Sequence, residues 1–211
     1  MTEGNADEGG DHHEHEHHEG HEHGDHDHHH DDIETLGVSV VTISSTRSLD
    51  EDPSGDTVAS ACTDAGHEVV HRELVPDDHD RIQAIVGQLS KRDDTDTVIT
   101  TGGTGVSPDD VTVEAVERLF AKRLPGFGEL FRRLSYEEVG TRVVGTRATA
   151  GIVEGVPVFC LPGSNTAARL GVREVVLPEA PHLAGLARHE DDPVEEGDAT
   201  EDTESGDEDA K

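Results

Sequence analysis

The chain has 211 residues, of which 48 are Asp or Glu and only 16 are Lys or Arg, so its formal net charge is −32. A field this negative repels DNA, RNA and anionic lipid surfaces, which argues against nucleic-acid and membrane-surface binding. No apolar run approaches the roughly 20 residues of a membrane-spanning helix, and the two cysteines, Cys62 and Cys160, are too few for a disulfide framework. We therefore expect a cytoplasmic protein without a membrane segment.

The acidic residues are concentrated at the two ends of the chain. Residues 1–34 carry 13 acids and no Lys or Arg, and residues 190–211 carry 12 acids and one Lys, whereas the middle has 23 acids and 15 bases. This distribution predicts one folded domain over residues 35–189 between two disordered acidic tails. The domain has 13 Arg but only two Lys. Such a surface suits the salt-rich cytoplasm of a halophile, although genome composition can also favour Arg over Lys.

The N-terminal tail is rich in histidine. Neutral imidazole is a good ligand for Ni, Zn and Cu, and clustered histidines can chelate a metal without a preformed site. The alternative is a solvated polyelectrolyte that binds divalent metal only incidentally. The 11 candidate ligands lie within residues 12–30 and are His12, His13, His15, His17, His18, His21, His23, His26, His28, His29 and His30.

Between the tails, apolar periodicity and turn residues predict alternating strands and helices. The predicted strands are residues 36–44, 68–75, 97–101, 147–153 and 156–161, the last two forming a hairpin about Glu154 and Gly155. The predicted helices are residues 57–65, 76–91, 110–119, 127–134, a helix from about 166, and 180–188. This order predicts an α/β fold, a three-layer α/β/α sandwich around a mostly parallel, mixed central sheet.

In open α/β sheets ligands bind beyond the carboxyl ends of the strands, and three polar loops of unusual composition follow predicted strands there. The first covers residues 45–56 and includes Ser54 and Gly55. The second, residues 100–110, reads TTGGTGVSPDD, and the third, residues 161–165, reads LPGSN.

The second of these loops has the composition of a phosphate-binding turn. Its three glycines permit positive φ and close backbone approach, which leaves N–H groups for an anion, and Thr101 and Thr104 add hydroxyl donors. It is not a Walker A loop, because Val106 and Ser107 follow Gly105 where that motif needs Lys and Ser or Thr. A tight strand-to-helix turn without a ligand is the alternative explanation.

Two aspartates are expected beside this loop. Asp110 lies five residues beyond Gly105, and Asp77 follows the second predicted strand at the same edge of the sheet. Two carboxylates next to bound phosphates could hold Mg²⁺, which prefers oxygen ligands. Capping of the following helix is the alternative for each aspartate.

Three segments of the domain resemble the MoaB/MogA family of molybdenum cofactor biosynthesis. They are TTGGTGVSPDDVTVEAVERLF (100–120), LPGFGELFRRLSYEEVGTR (124–142) and FCLPGSNTAARLG (159–171). Their order is specific, and the likeness covers roughly residues 36–188. Asp77 and Asp110 fall on the two functional acidic positions of the family.

The resemblance implies a homotrimer or homohexamer that transfers an adenylyl group from ATP to molybdopterin with Mg²⁺, giving adenylylated molybdopterin and pyrophosphate. It assigns Asp77 and Asp110 to catalysis, Mg²⁺ and substrate orientation. The substrate-binding and phosphate-binding residues that it implies are Thr101, Gly102, Gly103, Thr104, Gly105, Ser107, Ser54, Gly55, Pro162, Gly163, Ser164 and Asn165.

Two other functions stay open on the sequence. One is a non-catalytic molybdopterin-binding carrier or assembly protein, which would pass the pterin to a downstream molybdate-insertion protein. The other is metal storage or delivery through the histidine-rich tail. The presence of both aspartates favours the enzyme.

Overall fold

The computed structural model describes residues 32–188, so both predicted tails and the histidine cluster lie outside the described part of the chain. Its strands are β1 (Gly37–Ile43), β2 (Glu68–Val75), β3 (Thr97–Thr101), β4 (Lys122–Arg123), β5 (Thr149–Val153) and β6 (Val156–Leu161). They form one sheet in the order β2-β1-β3-β6-β5-β4. The β2–β1, β1–β3 and β3–β6 pairs are parallel, and the β6–β5 and β5–β4 pairs are antiparallel. The predicted mixed sheet is therefore confirmed.

Helices cover both faces of this sheet. They are α1 (Pro53–Asp64), α2 (His79–Leu89), α3 (Thr112–Val116), α4 (Pro125–Val139), α5 (Asn165–Gly171) and α6 (Leu177–Arg188). One apolar core joins the sheet to α1, α4, α5 and α6 and contains Phe131 and Phe159. The other joins it to α2 and α3 and contains Ile82 and Val116. Burial on both faces explains the near-continuous apolar runs of β1 and β6, and the three layers are those predicted.

The strand register brings the polar loops together. Ile43 at the end of β1 pairs with Val75 at the end of β2, and Thr42 pairs with Thr101 at the end of β3. Thr101 in turn pairs with Leu161 at the end of β6. The loops after these four parallel strands therefore leave the sheet at the same edge.

The first helix begins earlier than the sequence predicts. Residues 53–56 were expected to be loop, but α1 begins at Pro53, so Ser54 and Gly55 lie in its first turn. The Asp52 side chain accepts a hydrogen bond from the Gly55 N–H and caps the helix. Proline is favourable at this first helical position, because its missing N–H would have no partner there.

Neither predicted functional aspartate caps a helix. The second helix begins at His79 rather than Pro76, and its cap is Asp78, which accepts from Arg81 N. The third helix is only Thr112–Val116 rather than 110–119, and Val111 at its cap position makes no side-chain capping bond. The carboxylates of Asp77 and Asp110 are therefore available for other contacts.

The remaining differences are changes of length. The helix predicted at 127–134 extends from Pro125 to Val139, and a 3₁₀ turn, Gly140–Gly145, follows it. The helix predicted from about 166 begins at Asn165, and the closing helix begins at Leu177 after a π-helical turn, Val172–Val176. Among the described residues, no helix combines the length and apolarity that crossing a membrane requires.

Candidate functional site

A cavity of about 1020 Å³ opens at the sheet edge where the four parallel strands end. The strand-end loops form its floor, and α4, the 3₁₀ turn and α5 form its wall. Its loop residues are Ser44, Ser45, Thr46, Arg47, Asp77, Gly102, Gly103, Thr104, Gly105, Val106, Ser107, Asp109, Asp110, Pro162, Gly163 and Ser164. Its wall residues include Phe131, Ser135, Glu138, Val139, Arg142, Val143, Thr146, Thr166, Ala167 and Leu170.

The carbonyl groups of the glycine loop, residues 102–105, are all held by the protein. The Gly102 carbonyl accepts from the Thr112 hydroxyl at 2.9 Å and the Gly103 carbonyl from Thr112 N at 3.0 Å. Arg147 holds the other two, since its backbone N donates to the Thr104 carbonyl at 3.0 Å and its Nε to the Gly105 carbonyl at 2.7 Å. The loop therefore has a fixed peptide orientation.

The amide groups of the same peptides have no protein partner. Across residues 32–188, no acceptor pairs with the backbone N–H of Gly103, Thr104, Gly105 or Val106. In a trans peptide the N–H points away from the preceding carbonyl, so each held carbonyl directs the next N–H to the opposite side. These residues line the cavity. Successive N–H groups in such a turn form a concave site for an anion.

Two of the glycines are required by their surroundings. Gly102 has φ of +114°, and a Cβ there would lie 2.2 Å from the Ile43 carbonyl oxygen. Gly103 has φ of +63°, and its Cβ would lie 2.2 Å from the Thr112 hydroxyl oxygen. Only a residue without a side chain can adopt these backbone angles at such short approach.

Asp77 joins the loop after β2 to the loop after β1. Its Oδ2 accepts from both the backbone N and the hydroxyl of Ser45 at 2.8 Å, and its own N–H donates to the Ser45 hydroxyl at 3.0 Å. Its Oδ1 lies beside Gly103, 3.4 Å from where a Cβ would be. One carboxylate oxygen thus joins the two loops by its hydrogen bonds to Ser45, and the other lies at one end of the glycine loop.

Asp110 lies at the other end of the glycine loop. Its Oδ2 accepts from Ser107 N at 2.9 Å, and a Cβ on Gly105 would lie 2.9 Å from that oxygen. Its backbone carbonyl accepts from Arg147 Nη2 at 2.8 Å. The backbone amides of residues 103–106, which we call the amide cradle, therefore lie between two cavity-lining carboxylates.

These two carboxylates fit a magnesium ion. Mg²⁺ is usually bound through one or two carboxylates, with water and substrate phosphates as the remaining ligands. No group of three or more His, Cys, Asp or Glu side chains with metal-binding geometry exists within residues 32–188. A metal ion at these carboxylates would therefore need further ligands from water or from a bound substrate.

A buried acid beneath the cavity supports Arg47. Asp52 is 1% exposed and accepts from the Thr42 hydroxyl at 2.6 Å and from Arg72 Nη2 at 3.1 Å. It also accepts from the Ser54 hydroxyl, whose oxygen in turn accepts from Arg47 Nη1 at 3.0 Å. Burial raises the pKa of Asp52, but the hydrogen bonds and the Arg72 charge outweigh it and hold that pKa below its usual value.

Four predicted binding residues do not line the cavity. Ser54 and Gly55 are buried in α1, where Ser54 acts through Arg47. Thr101 is buried and donates its hydroxyl to the Pro162 carbonyl at 3.0 Å, so it ties the glycine loop to the turn after β6 instead of offering a ligand donor. The Asn165 side chain accepts from the Thr57 hydroxyl.

The turn after β6 lies directly against the glycine loop. A Cβ on Gly163 would be 3.1 Å from the Gly102 Cα, so this glycine permits the close approach of the two loops. Ser164 caps α5 by accepting from Ala167 N at 3.3 Å. Pro162, Gly163 and Ser164 all line the cavity, as predicted from their position after the strand.

Two arginines and two hydroxyls of the site were not predicted. Arg142 lines the cavity and has no ion-pair partner within the described residues, and Arg147 holds the glycine loop from outside the lining. Ser135 and Thr146 are residues of the cavity wall, but their hydroxyl oxygens are buried and have no hydrogen-bond partner in residues 32–188. The repeated tripeptide Gly-Thr-Arg at 140–142 and 145–147 is the signal that could have drawn attention to this segment.

Comparisons with known proteins identify relatives of this chain. Residues 35–182 match the family model described as "Probable molybdopterin binding domain". Molybdenum cofactor biosynthesis protein B of Bacillus subtilis is 42% identical over 145 residues, which cover 68% of this chain and 85% of that protein. Residues 35–182, which match the family model, include every loop of the cavity floor.

Solved structures extend the likeness to three dimensions. A crystal structure of Molybdenum cofactor biosynthesis protein B is 40% identical, with a TM-score of 0.71, and covers 72% of this chain and 96% of that one. The tungsten cofactor synthesizing protein MoaB from Pyrococcus furiosus is 39% identical, with a TM-score of 0.66, and covers 74% of this chain and 99% of that one. The chain therefore belongs to the MoaB/MogA family of molybdenum cofactor biosynthesis proteins.

Proposed function

We propose that this protein transfers an adenylyl group from ATP to molybdopterin. The observation that carries the proposal is the amide cradle of residues 103–106, which lies between the carboxylates of Asp77 and Asp110 in one large cavity. Amides that face a cavity bind anionic oxygens, and carboxylates beside them repel phosphate unless a cation lies between. The combination therefore favours a nucleotide bound with a divalent metal.

The size and lining of the cavity suit two substrates. Ligand pockets typically measure about 300–1,000 Å³, and this one, at about 1020 Å³, is slightly larger than that range. The wall formed by α4 and α5 offers apolar surface from Val139 and Leu170. Such apolar surface suits the flat face of a heterocycle, which adenine and pterin both present.

The cavity also supplies positive charge from side chains. Arg47 is positioned by Ser54 and Asp52, and Arg142 reaches the cavity from the 3₁₀ turn after α4. Both guanidinium groups can donate to phosphate oxygens. In a chain with a net charge of −32, such local donors are needed to hold anionic substrates against the overall field.

The reaction requires positioning more than proton transfer. An oxygen of the terminal phosphate of molybdopterin forms a bond to the α-phosphorus of ATP, the bond from that phosphorus to the bridging oxygen breaks, and pyrophosphate leaves with the electron pair. The attacking phosphate is already anionic, so no side chain has to remove a proton. The chain's own groups orient the two phosphates and stabilise the charge that develops on them, and Mg²⁺ supplies further charge neutralisation when bound.

The direct test is product formation by the whole protein. Incubation with molybdopterin, ATP and Mg²⁺ in concentrated potassium chloride should yield adenylylated pterin and an equal amount of pyrophosphate, both measured by chromatography and mass spectrometry. Omission of Mg²⁺ or of the pterin should abolish both products. If molybdopterin binds tightly but no pyrophosphate forms, the carrier function replaces the enzyme.

A metal-binding function of the tail is a second candidate. Its basis is the cluster of 11 histidines in residues 12–30, which lie outside the described structure. Removal of residues 1–31 should leave adenylylation intact and abolish most binding of Ni²⁺ or Zn²⁺ in calorimetry. Equal metal uptake by the truncated and full-length proteins would refute the candidate.

A further inference from the structure

Arg147 makes several hydrogen bonds to the glycine loop and to Asp110, although it does not line the cavity. Its backbone N donates to the Thr104 carbonyl and its Nε to the Gly105 carbonyl. Its Nη2 donates to the Asp110 carbonyl, and its Nη1 pairs with Glu114. One residue thus bonds three backbone carbonyls of the segment 104–110.

The peptide geometry gives these bonds a consequence. A carbonyl and the following N–H point in opposite directions across a trans peptide, and the described residues contain no cis peptide bond. Thr112, by holding the carbonyls of Gly102 and Gly103, directs the N–H groups of Gly103 and Thr104. Arg147, by holding the next two carbonyls, directs the N–H groups of Gly105 and Val106. The cradle therefore has two halves, each oriented by a different residue.

The same guanidinium also locates Asp110. The bond from Nη2 fixes the Asp110 carbonyl at 2.8 Å, while Ser107 N fixes the carboxylate at 2.9 Å. Because both the backbone carbonyl and one carboxylate oxygen of Asp110 are held, its remaining carboxylate oxygen has a defined position. Glu114 completes the arrangement by binding the free end of the guanidinium, and the Arg147 hydrogen bond lowers the Glu114 pKa.

We propose that Arg147 is a positioning residue that orients the Gly105–Val106 half of the phosphate cradle and Asp110 without touching the substrate. The proposal rests on the function proposed above, which supplies the kind of ligand, a phosphate anion. The Thr104 carbonyl is held by the Arg147 backbone N, so the side chain contributes the bonds to the Gly105 and Asp110 carbonyls. Only a planar guanidinium can serve those two carbonyls at once, since the single ammonium of lysine does not have this fixed fork of donors.

Pyrophosphate binding to the full-length protein tests the proposal without any turnover. In calorimetry with Mg²⁺ present, Arg147→Met should weaken pyrophosphate binding at least tenfold, and Arg147→Lys should be intermediate. Millimolar guanidinium, far below denaturing concentrations, should restore part of the affinity of Arg147→Met. It should not rescue Thr112→Val, which loosens the other half of the cradle but leaves no space of guanidinium shape.

Arg173→Met is the matched control for the loss of one positive charge. Arg173 is exposed, pairs with Asp64 and does not line the cavity, so its variant should bind pyrophosphate like the unaltered protein. Wild-type affinity in Arg147→Met would overturn the proposal, as would a loss that guanidinium does not relieve. Failure of the unaltered protein to bind pyrophosphate would also overturn it. Pyrophosphate binding without adenylyl transfer would instead refute the proposed function and leave the role of Arg147 standing.

Discussion

The Asp77 carboxylate accepts two hydrogen bonds from Ser45, one from the backbone N–H and one from the hydroxyl, each 2.8 Å long. The two residues are 32 positions apart in the chain and lie at the ends of neighbouring parallel strands. Their contact joins the loops after β1 and β2, and it leaves the second Asp77 oxygen beside Gly103. The carboxylate that we propose to be functional is thus positioned by the loop that also carries Arg47.

Replacement of Gly103 by alanine should destroy the cradle. Its φ of +63° and a Cβ 2.2 Å from the Thr112 oxygen would displace the loop, at a cost of about 1–3 kcal/mol from backbone strain alone. Phosphate binding, read by calorimetry, should be lost. Gly126 is the matched control, because nothing lies within 4 Å of its Cβ position. Gly126→Ala in α4 should bind normally and be as stable or more so.

Asp110→Asn should abolish most turnover while the fold survives. Its carboxylate lines the cavity and takes no part in helix capping, so the change removes charge rather than core packing. Removing one such electrostatic group typically lowers turnover by about 10²–10³-fold. Pyrophosphate release and thermal unfolding should be measured together with Asp93→Asn, an exposed control. Full pyrophosphate release by Asp110→Asn would contradict the assignment.

Asp52→Asn should reveal an acid-dependent part of the stability. Because the Asp52 pKa is lower in the folded chain than in the unfolded chain, the carboxylate stabilises the fold above about pH 4, the ordinary Asp value. This contribution disappears as the pH falls through the folded-state pKa. Urea unfolding should show a loss of about 1–3 kcal/mol at neutral pH. A deficit that stays constant down to low pH would exclude the ionised Asp52 as its source.

Both cysteines should be unreactive in the folded protein. Burial raises the pKa of the Cys62 and Cys160 thiols to about 12, and thiolate is the reactive form. Iodoacetamide at mildly alkaline pH should label neither residue until denaturant is added, as followed by mass spectrometry. An Ala65→Cys variant, at an exposed position, should be labelled at once. Rapid native labelling of Cys62 or Cys160 would show that the core opens around it.

Much of the architecture was predictable because it depends on local pattern. Apolar runs predicted five of the six strands to within three residues at either end, and strand–helix alternation predicted the layers. The helix starts were less predictable. The cap of α1 is Asp52 rather than a residue at the end of the polar stretch, and the cap of α2 is Asp78 rather than a residue before it. Several polar residues in a row can each serve as a cap, and the tertiary contacts of the neighbouring side chains select one.

The candidate site shows the same division. The glycine loop and the two aspartates are visible in the sequence, because glycine spacing and acids after strands are local features. The sequence does not reveal that the Thr101 hydroxyl donates to the Pro162 carbonyl, or that the Ser54 hydroxyl accepts a hydrogen bond from Arg47. Those assignments depend on partners that the fold brings near. Residue identity alone does not distinguish a hydroxyl that bonds within the protein from one that faces a ligand.

What the sequence determined by itself is the family, the order of elements and the place of the glycine loop that we propose to bind an anion. Only the tertiary structure decided the direction in which that loop presents its amides. The groups that hold its carbonyls are Thr112 and Arg147, and the Arg147 side chain comes from 42 residues beyond Gly105. A peptide plane can face either way in an isolated loop, and distant donors select one direction because an unpaired carbonyl inside the protein would cost free energy.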